Sequence, residues 1–418
     1  MPKYGNKPKT SQFLTKQHSI PELNRLPERL FTYLPKQRND SMLHKPYAIL
    51  MLFICFTAGL RAQDQRWGSA NLSSFEKKIT SLREKYHIPG LSVGVMHGKT
   101  LTWKKGFGYA DVANKIVPDE NTVYQVASVT KTFGSILLMQ QVEAGKLSLD
   151  DPISKYGINL GARWGSDPRI KLKHLMTHTA MGNMWNSYKP GYKFRYNGGW
   201  YHQLDKAIEK SSGRGFGELL MDTIVRPLGM TRTAPSTDDS LDFSLSGLDK
   251  EKYLSWTARP YDWNKKKKRL DTVTFKYGFG PAAGLMSTVA DLALYSAAID
   301  EKRFLQPGTW EQVWTPFVNK RGKKIQYGLG WFVTSYKGLK MIWHTGWWMG
   351  YSALFLKVPE KDITFIILAN SQDVSRPFYH IVQPLGGPFG FFSPFHKNLN
   401  RKVQASAFAK AFLDHFLE

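Results

Sequence analysis

Three short stretches carry side chains that together can cleave an ester or an amide. The first is Ser128-Val129-Thr130-Lys131. On a helix, positions i and i+3 share a face, so a hydroxyl and an amine at this spacing come within hydrogen-bond reach. A hydroxyl is a poor nucleophile until a neighbouring base takes its proton. A lysine amine acts as that base only once burial or nearby charge has lowered its pKa. The apolar neighbours Val129 and Phe133 favour such burial. The second stretch is Tyr196-Asn197-Gly198, which follows Pro190-Gly191. A phenol beside a lysine ammonium has its anion stabilised, so Tyr196 can take a proton from the serine and return it to a leaving group. The third is His344-Thr345-Gly346 at the end of a predicted strand. Gly346 lets a substrate approach the backbone closely, and the N–H groups of Trp347 and Ser128 can together hold a developing oxyanion.

Each stretch taken singly also fits a plain structural role. Ser128 can sit near a helix N-terminus, Tyr196 can pack in a glycine-rich turn, and His344 can end a strand at the surface. Three elements must therefore bring the stretches together. The spacing predicts a helix over 128–144 for the serine and lysine, with Gly145 as its stop. A helix over 73–86 and strands over 91–96 and 100–104 precede it. Short helices and long loops fill the middle, over 170–177, 200–211 and 216–224, and a helix runs over 288–299. The last third turns to strands over 327–335, 340–344, 351–357 and 363–370, followed by a closing amphipathic helix over 403–417. Short turns between strands imply antiparallel pairing. One economical arrangement joins the strands from both ends into one sheet, covers it with helices and leaves the middle, about 145–285, as a helical lobe.

Composition bounds the rest. The chain has 418 residues, 42% hydrophobic and 22% charged, which is ordinary for a globular domain with a sizeable core. Its net charge is +25; residues 1–62 hold ten basic and three acidic residues, which leaves +18 beyond them. The densest basic run, Lys265 to Arg269, reads as a solvated loop, with no nucleic-acid motif beside it. The single cysteine, Cys55, excludes an internal disulfide framework and a cysteine metal site. His174 and His178 are spaced four apart but lack a third ligand, so neither a metal nor a cofactor is expected. Residues 42–62 combine a basic start, an apolar run and a terminal Ala62, the pattern of a signal peptide. Residues 1–41 are then a basic extension or a misassigned start, and 63–418 form the domain. An uncleaved N-terminal anchor, giving cell-envelope association, is the alternative to an exported periplasmic or extracellular protein.

The ordered set Ser-x-x-Lys, Tyr-turn and His-Thr-Gly resembles the serine β-lactamase and penicillin-binding-protein superfamily, class C β-lactamases and their DD-peptidase and esterase relatives above all. The segments 170–179, 280–288, 327–331 and 344–351 are similar to segments of the same family. The resemblance implies an α/β fold with an antiparallel sheet flanked by helices and a helical lobe. It implies acylation of Ser128 with Lys131 and Tyr196 as partners, and substrate contacts from His344, Thr345, Gly346, Trp347 and Asn197. No cofactor is implied, and a small-molecule or peptide substrate is. Two departures bear on the substrate. The family's second motif is usually Tyr-x-Asn, and here Gly198 takes the Asn position, one residue after Asn197. His344 stands where lysine is common, which weakens attraction for a substrate carboxylate. Both favour an esterase or broad amidase. A catalytically silent binding protein for cell-wall material on the same fold is the competing expectation.

Overall fold

The computed structural model describes residues 69–161, 165–180, 189–274, 276, 278–379 and 399–417. The expected leader (42–62) and basic extension (1–41) lie outside the described residues. In chain order the main elements are helix α1 (Ser69–Lys85), strands β1 (Gly90–His97) and β2 (Thr100–Gly108), and helices α2 (Thr130–Glu143), α3 (Leu204–Ser212) and α4 (Val289–Asp300). Strands β3 (Phe332–Tyr336), β4 (Leu339–Trp348), β5 (Tyr351–Val358) and β6 (Ile363–Ala369) and helix α5 (Ala407–Phe416) follow.

The strands form one antiparallel sheet in the order β2-β1-β6-β5-β4-β3. The two chain ends do meet in it, with Val93 opposite Ile367 and Ile367 opposite Leu354. Every residue of β5 and β6 is buried, so helices must cover both faces. Successive side chains of a strand point to opposite faces. Phe365 and Ile367 accordingly pack with Phe75 and Ile79 of α1 and with Phe408 and Phe412 of α5. Ile366 and Leu368 pack with Leu292, Tyr295 and Ile299 of α4. Each such side chain contributes about 1.5–3 kcal/mol on leaving water. Helix α2 lies deeper still, and all ten residues from Thr130 to Met139 are buried.

Several sequence expectations shift. The strand expected over 327–335 starts only at Phe332. Gly328 is wedged against the Val313 carbonyl and Gly330 adopts φ +84°, so the chain turns there instead of pairing. The helix expected over 200–211 is two pieces, Gly198–His202 and α3, that meet at Gln203. The middle also holds short strands that give too few residues to show alternation. Leu285–Ser287 pairs with Tyr124–Gln125 and Ala234–Pro235, and Tyr261–Asn264 pairs with Arg269–Thr272. Lys265 to Lys268 form the exposed turn of that last hairpin. Among the described residues no helix is long and apolar enough to cross a membrane.

Candidate active site

The serine turn begins with a strained residue. Ala127 adopts φ +47°, a conformation that costs a residue with a side chain roughly 1–3 kcal/mol. Its surroundings hold it there. The Ala127 N–H donates to Gln125 Oε1 at 3.1 Å, and Thr130 Oγ1 donates to the Ala127 carbonyl at 2.6 Å. The result is a 3₁₀ turn over Ala127–Val129 that runs into α2. Ser128 thus sits in the tight turn ahead of the helix, where it was expected within the helix itself. It keeps 8% of its surface exposed, whereas Lys131 keeps 1%.

Lys131 Nζ lies 3.1 Å from Ser128 Oγ and 2.7 Å from the Ala282 carbonyl. Burial lowers its pKa to about 7, because the ammonium is the form that suffers from lost water. No carboxylate opposes that shift, so near neutral pH much of the amine is free to accept a proton. The segment 280–287 places the Ala282 carbonyl by running alongside α2. Gly134 gives it room, since a Cβ there would meet Pro281 at 2.8 Å, and the Leu285 N–H donates to Thr130 Oγ1 at 3.3 Å.

Tyr196 arrives from a loop that is built on the 174–179 segment. The Arg195 N–H donates to the His178 carbonyl at 2.6 Å, and the Asn197 N–H donates to His178 Nδ1 at 3.2 Å. The His178 ring lies 4.2 Å from the Tyr196 ring. His178 is fully buried and held neutral by that burial and by Lys131, and His174 is likewise a structural acceptor, taking the Lys171 N–H at 3.1 Å. The Tyr196 ring meets that of Tyr379 edge-on, with centroids 6.1 Å apart. Burial raises its pKa well above the ordinary phenol value, and the neighbouring Tyr379 and Tyr327 add to the effect. The phenolate that a lysine ammonium was expected to stabilise is therefore disfavoured. Lys131 Nζ sits 5.1 Å from the centre of the Tyr196 ring.

Asn197 does not supply the missing second-motif amide to the lysine. Its Oδ1 caps the short helix Gly198–His202 by accepting the Trp200 N–H at 3.0 Å. Gly198 is the residue beside the lysine, and a Cβ there would meet only Lys131 Nζ, at 3.8 Å.

On β4 the His-Thr-Gly residues act differently from the sequence expectation. His344 is wholly buried. Its Nε2 pairs with the Tyr327 hydroxyl at 3.0 Å and its Nδ1 lies 2.7 Å from the Thr345 carbonyl. Burial and the nearby Lys131 hold its pKa well below the usual histidine value, so it offers no cation to a substrate. Thr345 is also buried; its Oγ1 donates to Ser375 Oγ at 2.6 Å, and Ser375 Oγ donates to the Ala353 carbonyl at 3.0 Å. Gly346 is needed for the protein itself, because a Cβ would stand 2.1 Å from the Val126 carbonyl. That absence of a side chain lets β4 press against the serine turn. Trp347 is half-buried beside it.

Sequence reasoning missed Tyr379. It follows the 3₁₀ turn Arg376–Phe378, its ring stacks on Trp347 with centroids 5.4 Å apart and meets the Tyr196 ring edge-on at 6.1 Å, and its hydroxyl donates to the Thr345 carbonyl at 3.4 Å. Nothing in the sequence around it, Pro377-Phe378-Tyr379-His380, marks it out. Among the described residues no group of three or more His, Cys, Asp or Glu side chains is arranged to hold a metal.

Comparison with known proteins shows which family carries this fold. Penicillin-binding protein 4* of Bacillus subtilis (strain 168) is 23% identical over 329 residues, 70% of this chain and 70% of that protein. Protein flp of Staphylococcus aureus (strain NCTC 8325 / PS 47) is 23% identical over 69% of this chain, which spans only 60% of flp's length. Unguisins hydrolase ungD' of Aspergillus campestris (strain IBT 28561) is 23% identical over 71% of this chain and 61% of its own. Among solved structures, the octameric penicillin-binding protein homologue from Pyrococcus abyssi superposes with a TM-score of 0.61 at 28% identity, over 72% of this chain and 73% of that one. The penicillin binding protein from Bacillus halodurans shares the fold with a TM-score of 0.57 at 20% identity, over 70% of this chain and 95% of that one. The family model Beta-lactamase matches residues 75–380. That span takes in the serine turn, the Tyr196 loop and the His-Thr-Gly strand, and the chain belongs to the beta-lactamase family.

Proposed function

We propose that the protein is an exported serine hydrolase that cleaves a neutral ester or amide through an acyl-enzyme on Ser128. The observation that carries this reading is the 3.1 Å approach of Lys131 Nζ to Ser128 Oγ, with the amine's pKa lowered to about 7. A base is most effective when its pKa lies near the working pH. Neutral Lys131 takes the serine proton, Oγ attacks the carbonyl carbon, and the backbone N–H groups of Ser128 and Trp347 hold the oxyanion. A missing oxyanion donor typically costs ~10²–10³ in rate. The close seating of Gly346 on Val126 supports pairing those two N–H groups. A neutral phenol beside Ser128 gives the leaving group its proton, and water then releases the acyl group.

Preference for a substrate without a free carboxylate next to the scissile bond follows from His344. A fully buried, neutral imidazole cannot draw in an anion as a lysine would. Export rests on the leader pattern of residues 42–62. A fluorophosphonate probe tests the reading directly. It should label the protein on Ser128, and Ser128→Ala should abolish both labelling and ester turnover. Labelling that survives this substitution refutes the assignment. The open place beside Lys131 at Gly198 favours one competing reading, a silent binder of cell-wall fragments; muropeptide binding with no adduct by mass spectrometry would support it.

A further inference from the structure

We propose that a cleft beside the edge strand β3 binds a small phosphorylated ligand that carries more than one phosphate group. None of the residues lining it belongs to the site around Ser128, so the inference stands whether or not that serine is a nucleophile.

The cleft has a volume of about 690 Å³ and is lined by Lys323, Lys324, Lys340 and Arg401, together with Gln326 and Ser335. Concave sites of ~300–1,000 Å³ suit small ligands. Three stretches of chain supply the cations, 316–326, 337–340 and 399–402, and none of the three contains an Asp or a Glu. Residues 380–398, which lead into the last stretch, contain none either. Among the described residues no carboxylate pairs with the side chain of Lys323, Lys324, Lys340 or Arg401. Glu360 reaches the edge of the patch, but there its Oε1 accepts the backbone N–H of Lys340, at 3.1 Å. Cations gathered in a cleft repel one another and focus a positive field into it. A bound polyanion relieves that repulsion.

The surroundings also hold the cations in place. The Asn319 N–H donates to the Lys323 carbonyl and the Lys323 N–H to Asn319 Oδ1, both at 3.0 Å, and Gly322 makes the turn with φ +74°. The Ile325 N–H donates to the Phe317 carbonyl at 2.7 Å. This finger is fastened in turn to the loop before Tyr196, through the Lys320 N–H on the Gly191 carbonyl at 3.0 Å and Asn319 Nδ2 on the Tyr192 carbonyl at 2.8 Å. Arg401 is half-buried and lies over the Phe194 ring, 4.9 Å from its centre. A guanidinium on an aromatic face keeps its N–H fork for a bidentate contact with an anion. Ser335 is exposed on β3, and its hydroxyl has no partner among the described residues. Phosphate suits this set better than carboxylate. Each phosphate group brings about −1.5 to −2 charges and three acceptor oxygens, so a ligand small enough for the cleft can still answer four cations.

Calorimetric titration of the full chain with tripolyphosphate at low salt tests this. One equivalent should bind, and added salt should weaken it. Lys323→Gln/Lys324→Gln, at two exposed positions, should weaken binding about tenfold at an unchanged melting temperature. Arg401→Lys keeps the charge but loses the fork, and should weaken binding by less. Glutamine at all four of Lys265, Lys266, Lys267 and Lys268 removes twice the charge from the exposed hairpin turn, and should leave the affinity within about twofold. The site is refuted if tripolyphosphate does not bind, or if the hairpin variant loses as much affinity as the double variant, which would make binding a matter of net charge. Citrate binding as tightly as tripolyphosphate would overturn the phosphate assignment. Tighter binding of a DNA duplex or of phosphatidylglycerol vesicles, lost in Lys323→Gln/Lys324→Gln, would give the face to a macromolecule or a membrane and overturn the small-ligand reading.

Discussion

Two parts of the active site are held in contrasting ways. Ser128 and Lys131 share one continuous, buried turn and helix, so a spacing of three residues brings them together. Tyr196 and Tyr379 come from loops 183 residues apart and meet, with rings 6.1 Å apart, because backbone ties to His178 and Asn400 and ring contacts hold those loops down. The local pair depends on burial, which tunes the amine. The distant pair depends on long-range ties, which set position. Substitutions in the first should therefore change chemistry with little harm to the fold, and substitutions in the second should change both together.

Lys131→Met should show the largest effect. It removes the base while keeping the volume, so kcat/KM should fall ~10³-fold. Thermal stability should hold or rise, because a desolvated amine disappears from the interior. A melting temperature that drops with the rate would erase the proposed contrast. In the unaltered protein the same amine sets the pH profile. Only the neutral form accepts a proton, so kcat/KM should climb as pH rises through about 7 and then level off. A profile falling across that interval would place the ionisation elsewhere.

Gly346→Ala comes next. The added Cβ meets backbone at 2.1 Å, and such overpacking costs about 1–3 kcal/mol. Calorimetry should register that loss, and the burst rate should drop with it as β4 moves off the serine turn. Thr345→Val should do less. It removes the hydroxyl that ties β4 to Ser375, worth about 0.5–1.5 kcal/mol, and kcat should suffer more than KM as the Tyr379 turn loosens. The smallest change is expected from Gly198→Asn. The position is open toward Lys131 Nζ, so the amide can reach the amine and shift amide over ester turnover a few-fold, measured as a ratio on matched substrates.

The same contrast explains what the sequence discloses. Ser128 and Lys131 are legible because i, i+3 spacing is local, and β1, β5 and β6 are legible because their apolar runs are long. The positive φ at Ala127 carries no such mark, since alanine is not a residue that signals that conformation. The true work of Gly346 was also hidden. A glycine announces close approach but not what approaches, and here it is the Val126 carbonyl. His344 read as a substrate contact because it stands at the family's third motif, yet its imidazole is spent on Tyr327 and the Thr345 carbonyl. Tyr379 is invisible for the most general reason. It meets Tyr196 from 183 residues away, a relation that no local pattern encodes.

The pairing of β1 with β6, Leu91 opposite Ala369, also governs how the molecule comes into being. Among the described residues, the first strand to leave the ribosome has its central neighbour among the last. Until about 270 further residues have been made, that apolar edge has no permanent cover, and ordering of such remote pairs is slow. Any shortened product ending before Ile363 would keep two sticky sheet edges and should aggregate on refolding.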